Sequence, residues 1–168
     1  TTDNPHGWDD IDPSVFVDDD GQAYMYWGNG SLKMVKLKDN MIELDGEIQY
    51  YNPKNFIEGP WVYKRKGLYY LVYASQGEER ERVEYATSDS PEGPWEYRGI
   101  LADSAPNSFT IHPGIIEYKG KDYFFYHNGV LPTGGSYRRS ITLDYMYYNE
   151  DGTIQKVEQI KEGVEAVE

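Results

Sequence analysis

The sequence predicts an all-β protein of the β-propeller class, and two observations lead to this prediction. Short runs rich in tyrosine and other β-prone residues recur along the chain, and turns rich in glycine and aspartate separate them. The runs form three similar units whose starts lie 46 and 54 residues apart. A period of about 40–50 residues with several short strands is typical of propeller blades. A β-sandwich is the alternative, but it does not predict the repeated spacing.

The composition limits the function classes. The chain has 168 residues, a net charge of −13 and no cysteine. A strongly negative chain is repelled by phosphate backbones and anionic membranes, so we expect neither nucleic acid nor a membrane as partner. Without cysteine, disulfide scaffolds and thiolate metal sites are excluded. The length fits one domain.

The first unit, predicted over about residues 9–52, begins with a hairpin. Its strands are 15–17 and 23–27, joined by a turn that contains Asp20-Gly21. Asp-Gly between β-prone runs is a strong hairpin signal. A further strand is predicted at 32–37, and the acidic run 18–20 is interpreted as a turn rather than a calcium loop.

The second unit, over about 53–104, repeats the pattern. Strands are predicted at 61–63 and 68–73 around the turn 64–67, and again at 82–88 and 95–99. The charged run 78–82 is interpreted as a solvated loop with local ion pairs.

The third unit, over about 105–160, has predicted strands at 115–118 and 122–126 around a Lys-Gly-Lys turn. Further strands are predicted at 139–147 and 154–159. Residues 1–160 would therefore form a partial propeller, and the acidic tail 161–168 is predicted to fray.

A polar residue beside proline or glycine opens each unit: Asp12, Glu58 and His112. Each is followed 14 or 15 positions later by a tyrosine. The first strand of every blade lines the central channel, so the three side chains are predicted to converge there. Taken singly, Asp12 could be a turn former before proline and His112 a hydrogen-bonded core residue. Their shared position favours a functional site, because burying polar groups without partners is costly.

Two carboxylates that face one pocket are what glycoside hydrolysis requires. One donates a proton to the leaving oxygen, and the other activates water or attacks the sugar. Glu58 is the better candidate for the acid, because its apolar neighbours Phe56, Ile57 and Trp61 would disfavour its charged form. Trp27 is a candidate for stacking on a sugar ring.

Three ordered motifs carry a resemblance to a known family. Residues 10–24 (DIDPSVFVDDDGQAY), 57–61 (IEGPW) and 111–116 (IHPGII) resemble the third-, fourth- and fifth-blade motifs of glycoside hydrolase family 43. Residues 123–129 (YFFYHNG), 138–140 (RRS) and 149–154 (NEDGTI) are similar to its C-terminal pattern. That family contains β-xylosidases, α-L-arabinofuranosidases and arabinanases on a five-bladed propeller.

The resemblance implies roles for individual residues. Glu58 would be the general acid of an inverting glycosidase that acts on arabinose- or xylose-containing plant polysaccharides or oligosaccharides. Asp12 would orient the acid and modulate its pKa. His112 would lie at the axis, where relatives often hold a calcium or another ion, and Arg139 would face the sugar or its carboxylate neighbours.

The family's general base lies in an Asp-Pro motif on the first blade, and no match to that motif is found in this sequence. The chain therefore resembles blades three to five, and a partner chain or a homo-oligomer would complete the propeller. Two three-blade arcs closing into a six-bladed ring are one such assembly. The alternative is a catalytically incomplete propeller fragment or a carbohydrate-binding module.

Overall fold

The computed structural model describes residues 8–161 and 163–166. Within these ranges the chain forms eleven strands in three antiparallel sheets and no helix. The first sheet contains β1 (Ser14–Val17), β2 (Ala23–Trp27), β3 (Leu32–Leu37) and β4 (Leu44–Tyr51). The second contains β5 (Phe56–Arg65), β6 (Leu68–Gln76), β7 (Glu81–Ser88) and β8 (Glu96–Ala102). The third contains β9 (Gly114–Tyr118), β10 (Lys121–Asn128) and β11 (Ser140–Met146). No helix among these residues is long and apolar enough to cross a membrane.

Each sheet is a simple meander, and the three predicted hairpins are confirmed. Strand β1 pairs with β2, β5 with β6, and β9 with β10. The first turn closes with hydrogen bonds from Gly21 N to Asp18 O and from Asp18 N to Gln22 O. Gly21 has a φ of 88°, which few other residues adopt readily.

Strand β4 was not predicted from the sequence. It pairs with β3 across a register shift between Met34 and Lys36. Most of its residues are exposed, because it is the edge strand of the first sheet. An exposed edge strand needs no apolar alternation, so the sequence carries little signal for it.

The first and second sheets pack face to face through a common core. Tyr26, Leu32 and Met34 from the first sheet meet Val62, Leu71 and Tyr73 from the second. Burying each such side chain contributes about 1.5–3 kcal/mol. The Tyr26 hydroxyl donates to the Pro91 carbonyl at 2.6 Å, so the core tyrosine has a polar partner.

The second and third sheets share a larger core, which includes Tyr70, Tyr85, Leu101, Phe124 and Met146. The segment after β11 closes this seam. The predicted strand 154–159 is wrong, because no continuous strand forms there. Ile154 and Val157 instead make isolated bridges to Tyr148 and Ala102, respectively. Their side chains enter the shared core, which explains the apolar pattern.

The third sheet keeps one apolar face open. Ile115 and Phe124 point into the core, whereas Ile116 and Phe125, one position further along, are exposed. The arrangement is an arc of three sheets, consistent with part of a propeller. Of the predicted tail 161–168, residues 161 and 163–166 contain no strand, and residues 162, 167 and 168 lie outside the described residues.

Candidate active site

The structure brings Asp12, Glu58 and His112 to one place, one from each unit. One ligand atom from each side chain lies within 4.8 Å of the others. Glu58 Oε1 is 2.9 Å from His112 Nε2, and Asp12 Oδ2 is 3.9 Å from the same nitrogen. Residues distant in sequence therefore form one polar cluster at the starts of three neighbouring sheets.

Local backbone features orient these side chains. Register shifts flank Glu58 in β5, and such bulges commonly redirect a side chain next to an active site. Gly59 has a φ of 59°, and a Cβ there would lie 3.1 Å from the His112 ring. Glycine is thus needed for the histidine to pack beside Glu58. Asp12 adopts a φ of 55°, which is uncommon for a residue other than glycine.

Glu58 is held as a carboxylate in this chain. Its hydrogen bond to His112 lowers its pKa more than burial raises it, and the bond from Asn29 Nδ2 to Oε2 at 2.7 Å adds to the effect. Burial alone would lower the pKa of His112, but the bond to Glu58 and the charges of Asp12 and Glu58 raise it above its usual value. The expectation that apolar neighbours keep Glu58 neutral is wrong here, because polar partners outweigh them.

Asp12 shows the opposite behaviour. Burial raises its pKa, the Glu58 charge adds to the rise, and His112 and Arg139 oppose it. Its Oδ2 is buried and accepts no hydrogen bond from the described residues. The two carboxyl groups thus have pKa values shifted in opposite directions, because Glu58 has hydrogen-bond donors and Asp12 Oδ2 has none.

Glu81 is a fourth member of the site, which the sequence interpretation missed. Its carboxylate accepts a hydrogen bond from the backbone N–H of Ile111 at 3.3 Å, next to His112. Burial and the Glu58 charge raise its pKa to about 7. The solvated-loop interpretation of 78–82 therefore does not hold for Glu81, because the β6–β7 turn places it against the third sheet. Glu81 lies within a charged run, so the sequence did not distinguish it from the solvated residues beside it.

Arg139 reaches the site through two further residues. Its Nη1 donates to Thr110 Oγ1 at 3.2 Å and lies 3.4 Å from His127 Nε2. Thr110 Oγ1 is 3.0 Å from that nitrogen. Burial, Arg139 and His112 together lower the pKa of His127 to about 4, so this histidine is neutral near pH 7. Because Nε2 accepts hydrogen bonds, the ring proton is assigned to Nδ1.

Trp27 is not part of this cluster. Its side chain is buried, with 8% exposure, and its indole N–H donates to Asp10 Oδ1 at 2.8 Å. Lys33 Nζ binds the same oxygen at 2.6 Å. The predicted stacking of Trp27 on a sugar does not fit this placement, because no open ring face remains. Asn29, two positions later, is the residue of this segment that reaches Glu58.

The donor set near His112 fits a cation only in part. Asp12, Glu58 and His112 offer two carboxylate oxygens and one imidazole nitrogen. Calcium takes about six to eight oxygen ligands, so water or other residues would have to complete its shell. The unpartnered Asp12 Oδ2 is the atom that would gain most from a cation.

The curated relatives that match this chain include glycosidases. A β-D-galactofuranosidase, XynD of Aspergillus niger, is 34% identical over 167 residues, which cover 95% of this chain and 49% of that relative. A β-xylosidase of Xylanibacter ruminicola is 29% identical, with 88% of this chain and 58% of the relative covered. The chain thus spans about half the length of these curated relatives.

Solved structures agree with the sequence matches. A family 43 enzyme from Xanthomonas citri complexed with xylotriose superposes with a TM-score of 0.83 at 30% identity, covering 92% of this chain and 59% of that one. An α-L-arabinofuranosidase from Clostridium thermocellum gives a TM-score of 0.78 at 35% identity, covering 90% and 53%. Such neighbours are five-bladed propeller enzymes, so the all-β, partial-propeller prediction is confirmed.

The match to a family model covers almost the whole chain. The model for glycosyl hydrolases family 43 aligns with residues 1–154, which include all eleven strands and every residue of the cluster described above. This chain belongs to glycoside hydrolase family 43.

Proposed function

We propose that this chain carries the acid-donating part of an inverting glycosidase that acts on arabinose- or xylose-containing plant polysaccharides or oligosaccharides. The observation that carries the proposal is the meeting of Glu58 with Asp12 and His112 at the starts of three sheets. Glu58 donates the proton to the leaving oxygen, and Asp12 orients it and adjusts its pKa. Arg139 binds the sugar from the third sheet.

Proton transfer to the leaving group must pass through the Glu58–His112 pair. In this chain the proton of the pair lies on His112, and Glu58 is ionised. Further blades would bury the cluster more deeply and add the carboxylate of the general base. Both changes raise the pKa of a carboxyl group and favour the protonated form of Glu58 that donation requires.

The base belongs to the part of the fold that this chain does not span. Relatives are about twice as long, and the open apolar face at Ile116 and Phe125 is a surface on which further blades could pack. The missing half can be part of the same protein or a partner chain of different sequence, because a second copy of this chain would not supply the base motif. Hydrolysis needs this half, because inversion requires a base on the opposite side of the sugar.

The sugars proposed as substrates are chosen from the activities that are named for the relatives. Those with named activities include a galactofuranosidase, xylosidases and arabinofuranosidases. Furanosides and xylosides are neutral, and a chain with a net charge of −13 does not repel them. Aryl α-L-arabinofuranoside, β-D-xyloside and β-D-galactofuranoside are therefore the three substrates to compare.

A calcium ion near His112 is part of the proposal. A β-xylosidase/α-arabinofuranosidase from a compost metagenome is described as a calcium-free form, which supports an ion in such enzymes. His112 and Asp12 would hold it, and its positive charge would stabilise ionised Asp12. An imidazole ligand must be neutral, so His112 would give up a ring proton when the ion binds. Glu58 stays outside its coordination, because a carboxylate bound to the ion cannot donate a proton.

The test is hydrolysis of the three aryl glycosides by this chain, alone and mixed with the N-terminal half of the Xanthomonas citri relative. We expect turnover only with the added half, and its loss by a factor of about 10³ or more in Glu58→Gln. Glu43→Gln, on an exposed residue that pairs with Lys38, is the matched control.

Equal rates for Glu58→Gln and the parent would reject Glu58 as the acid. Turnover by the chain alone would place a base within it and would end the modulator role of Asp12. Sugar binding without turnover in every mixture would support the second candidate, a carbohydrate-binding fragment, which the ionised state of Glu58 favours.

A further inference from the structure

A cavity lies at the far end of the second sheet, away from the candidate active site. It has a volume of about 440 Å³ and is bounded by Arg65 and by residues of the third sheet. Sites for small ligands commonly measure about 300–1,000 Å³. Arg65 ends β5, whereas Glu58 lies near its start. At about 3.3 Å per residue, the two are separated by roughly 20 Å.

Part of the cavity wall is held rigidly. The Arg65 guanidinium lies 3.8 Å from the centre of the Tyr148 ring and 3.5 Å from Asp122 Oδ2. The Tyr148 hydroxyl is 2.8 Å from the Tyr63 hydroxyl. The wall therefore holds the Arg65 guanidinium in a fixed position beside the cavity, paired with Asp122 and stacked on Tyr148.

A second, smaller cavity of about 270 Å³ extends the first. Tyr145, Tyr147 and Gln155 line both cavities, so the two adjoin at the end of β11, and together they are called the groove. The backbone N–H of Gln155 donates to the Tyr147 carbonyl at 2.8 Å, and the Gln155 side-chain Nε2 donates to Asn149 Oδ1 at 3.1 Å. The Tyr147 side chain is open to a ligand, with 61% exposure.

This lining matches the surface of a neutral sugar. A sugar ring has apolar C–H faces that pack on tyrosine, and hydroxyls that bond to planar polar groups. The two cavities together are lined by three cationic and three acidic side chains: Arg65, Lys121, Lys156, Asp122, Asp144 and Glu158. The groove as a whole therefore has no net formal charge that would select an anion.

We propose that this groove binds a neutral xylo-oligosaccharide at a site separate from Glu58. The choice of sugar rests on the proposed function; the site itself rests on the groove. Its two sides come from the second and third sheets, which are both present in this chain. Binding there therefore does not depend on further blades, and it would hold a polysaccharide on the protein beyond the point of cleavage.

The experiment is a calorimetric and NMR titration of the full chain with xylohexaose, in the Glu58→Gln background so that the probe stays intact. Tyr147→Ala is the test variant. Tyr50→Ala, on β4 of the first sheet, is the matched control, because its side chain is 59% exposed. We expect Tyr147→Ala to weaken binding about tenfold or more, and Tyr50→Ala to leave it unchanged.

Absence of binding to the Glu58→Gln chain, or equal weakening in both tyrosine variants, would overturn the proposal. So would xylohexaose shifts confined to residues around His112. A change of molar mass in Tyr147→Ala alone would identify the groove as a protein contact instead. If hydrolysis fails but binding still depends on Tyr147, only the proposed function is rejected. Failure of the proposed function can therefore be distinguished from failure of the groove proposal.

Discussion

At the scale of the residue, the site is governed by one shared proton. His112 donates it to Glu58, and Asn29 supports the second oxygen of the carboxylate. Asp12 is close but lacks a hydrogen bond at Oδ2. The two carboxyl groups therefore differ in protonation behaviour, because their hydrogen-bond partners and burial differ.

This arrangement predicts a pH-dependent contribution to stability. The lowered pKa of Glu58 gives stability that is lost as pH falls below the ordinary value of 4.5. The raised pKa of His112 gives stability that is present below the ordinary value of 6.5 and is lost as pH rises through the folded value. The contribution of the pair is therefore largest between these two values.

Urea unfolding of the parent and of Glu58→Gln at about pH 3.5, 5.5 and 8.5 measures this contribution. The difference in the free energy of unfolding should be greatest at the middle pH and smaller at both ends. A difference that is constant across the three conditions would mean that the pair does not share a proton.

At the scale of the element, turns connect neighbouring sheets through side-chain hydrogen bonds. The β1–β2 turn reaches the second sheet through Asp18, whose carboxylate accepts from the Tyr69 hydroxyl at 2.5 Å and from Lys64 Nζ at 2.9 Å. Burial raises the pKa of Asp18, but these bonds outweigh it and the pKa is lowered. The acidic run 18–20 is thus a turn, as predicted, and also a contact between sheets.

We predict that Asp18→Asn destabilises the chain by about 1–2 kcal/mol, because charge-assisted hydrogen bonds are replaced by weaker neutral ones. Asp19→Asn is the control: Asp19 binds the same lysine, but its side chain is 85% exposed. Its effect should stay below about 0.5 kcal/mol. The unfolding midpoint in urea is the measurement, and equal effects of the two variants would show that Asp18 is not a contact between the sheets.

At the scale of the whole molecule, three sheets form an arc with the polar cluster at their common inner end. The core between the second and third sheets is closed by Ile154 and Val157, so the two units are firmly joined. The outward face of the third sheet remains apolar and open. An ion held by Asp12 and His112 would join the first and third units, between which no strand pairs.

The proposed ion can be tested by its effect on thermal stability. Adding calcium to chelator-treated chain should raise Tm by a few degrees, because an ion that binds only the folded state stabilises it by mass action. His112→Gln should abolish the rise while Tyr50→Ala retains it. A Tm that does not respond to calcium or chelator would exclude a bound ion.

The sequence by itself determined the strands that carry a tyrosine-rich or glycine-marked pattern, and the convergence of Asp12, Glu58 and His112. Repetition made this possible, because equivalent positions of repeated units point to one axis. The edge strand β4 escaped prediction because it buries little apolar surface.

Only the tertiary structure decided the protonation and the exposure of those groups. It showed that His112 ionises Glu58, that Glu81 joins the site and that Trp27 is buried against Asp10. A pKa depends on atoms brought together from different sheets, and exposure depends on what packs above a side chain. Neither quantity is local in sequence, so only the folded chain could supply them.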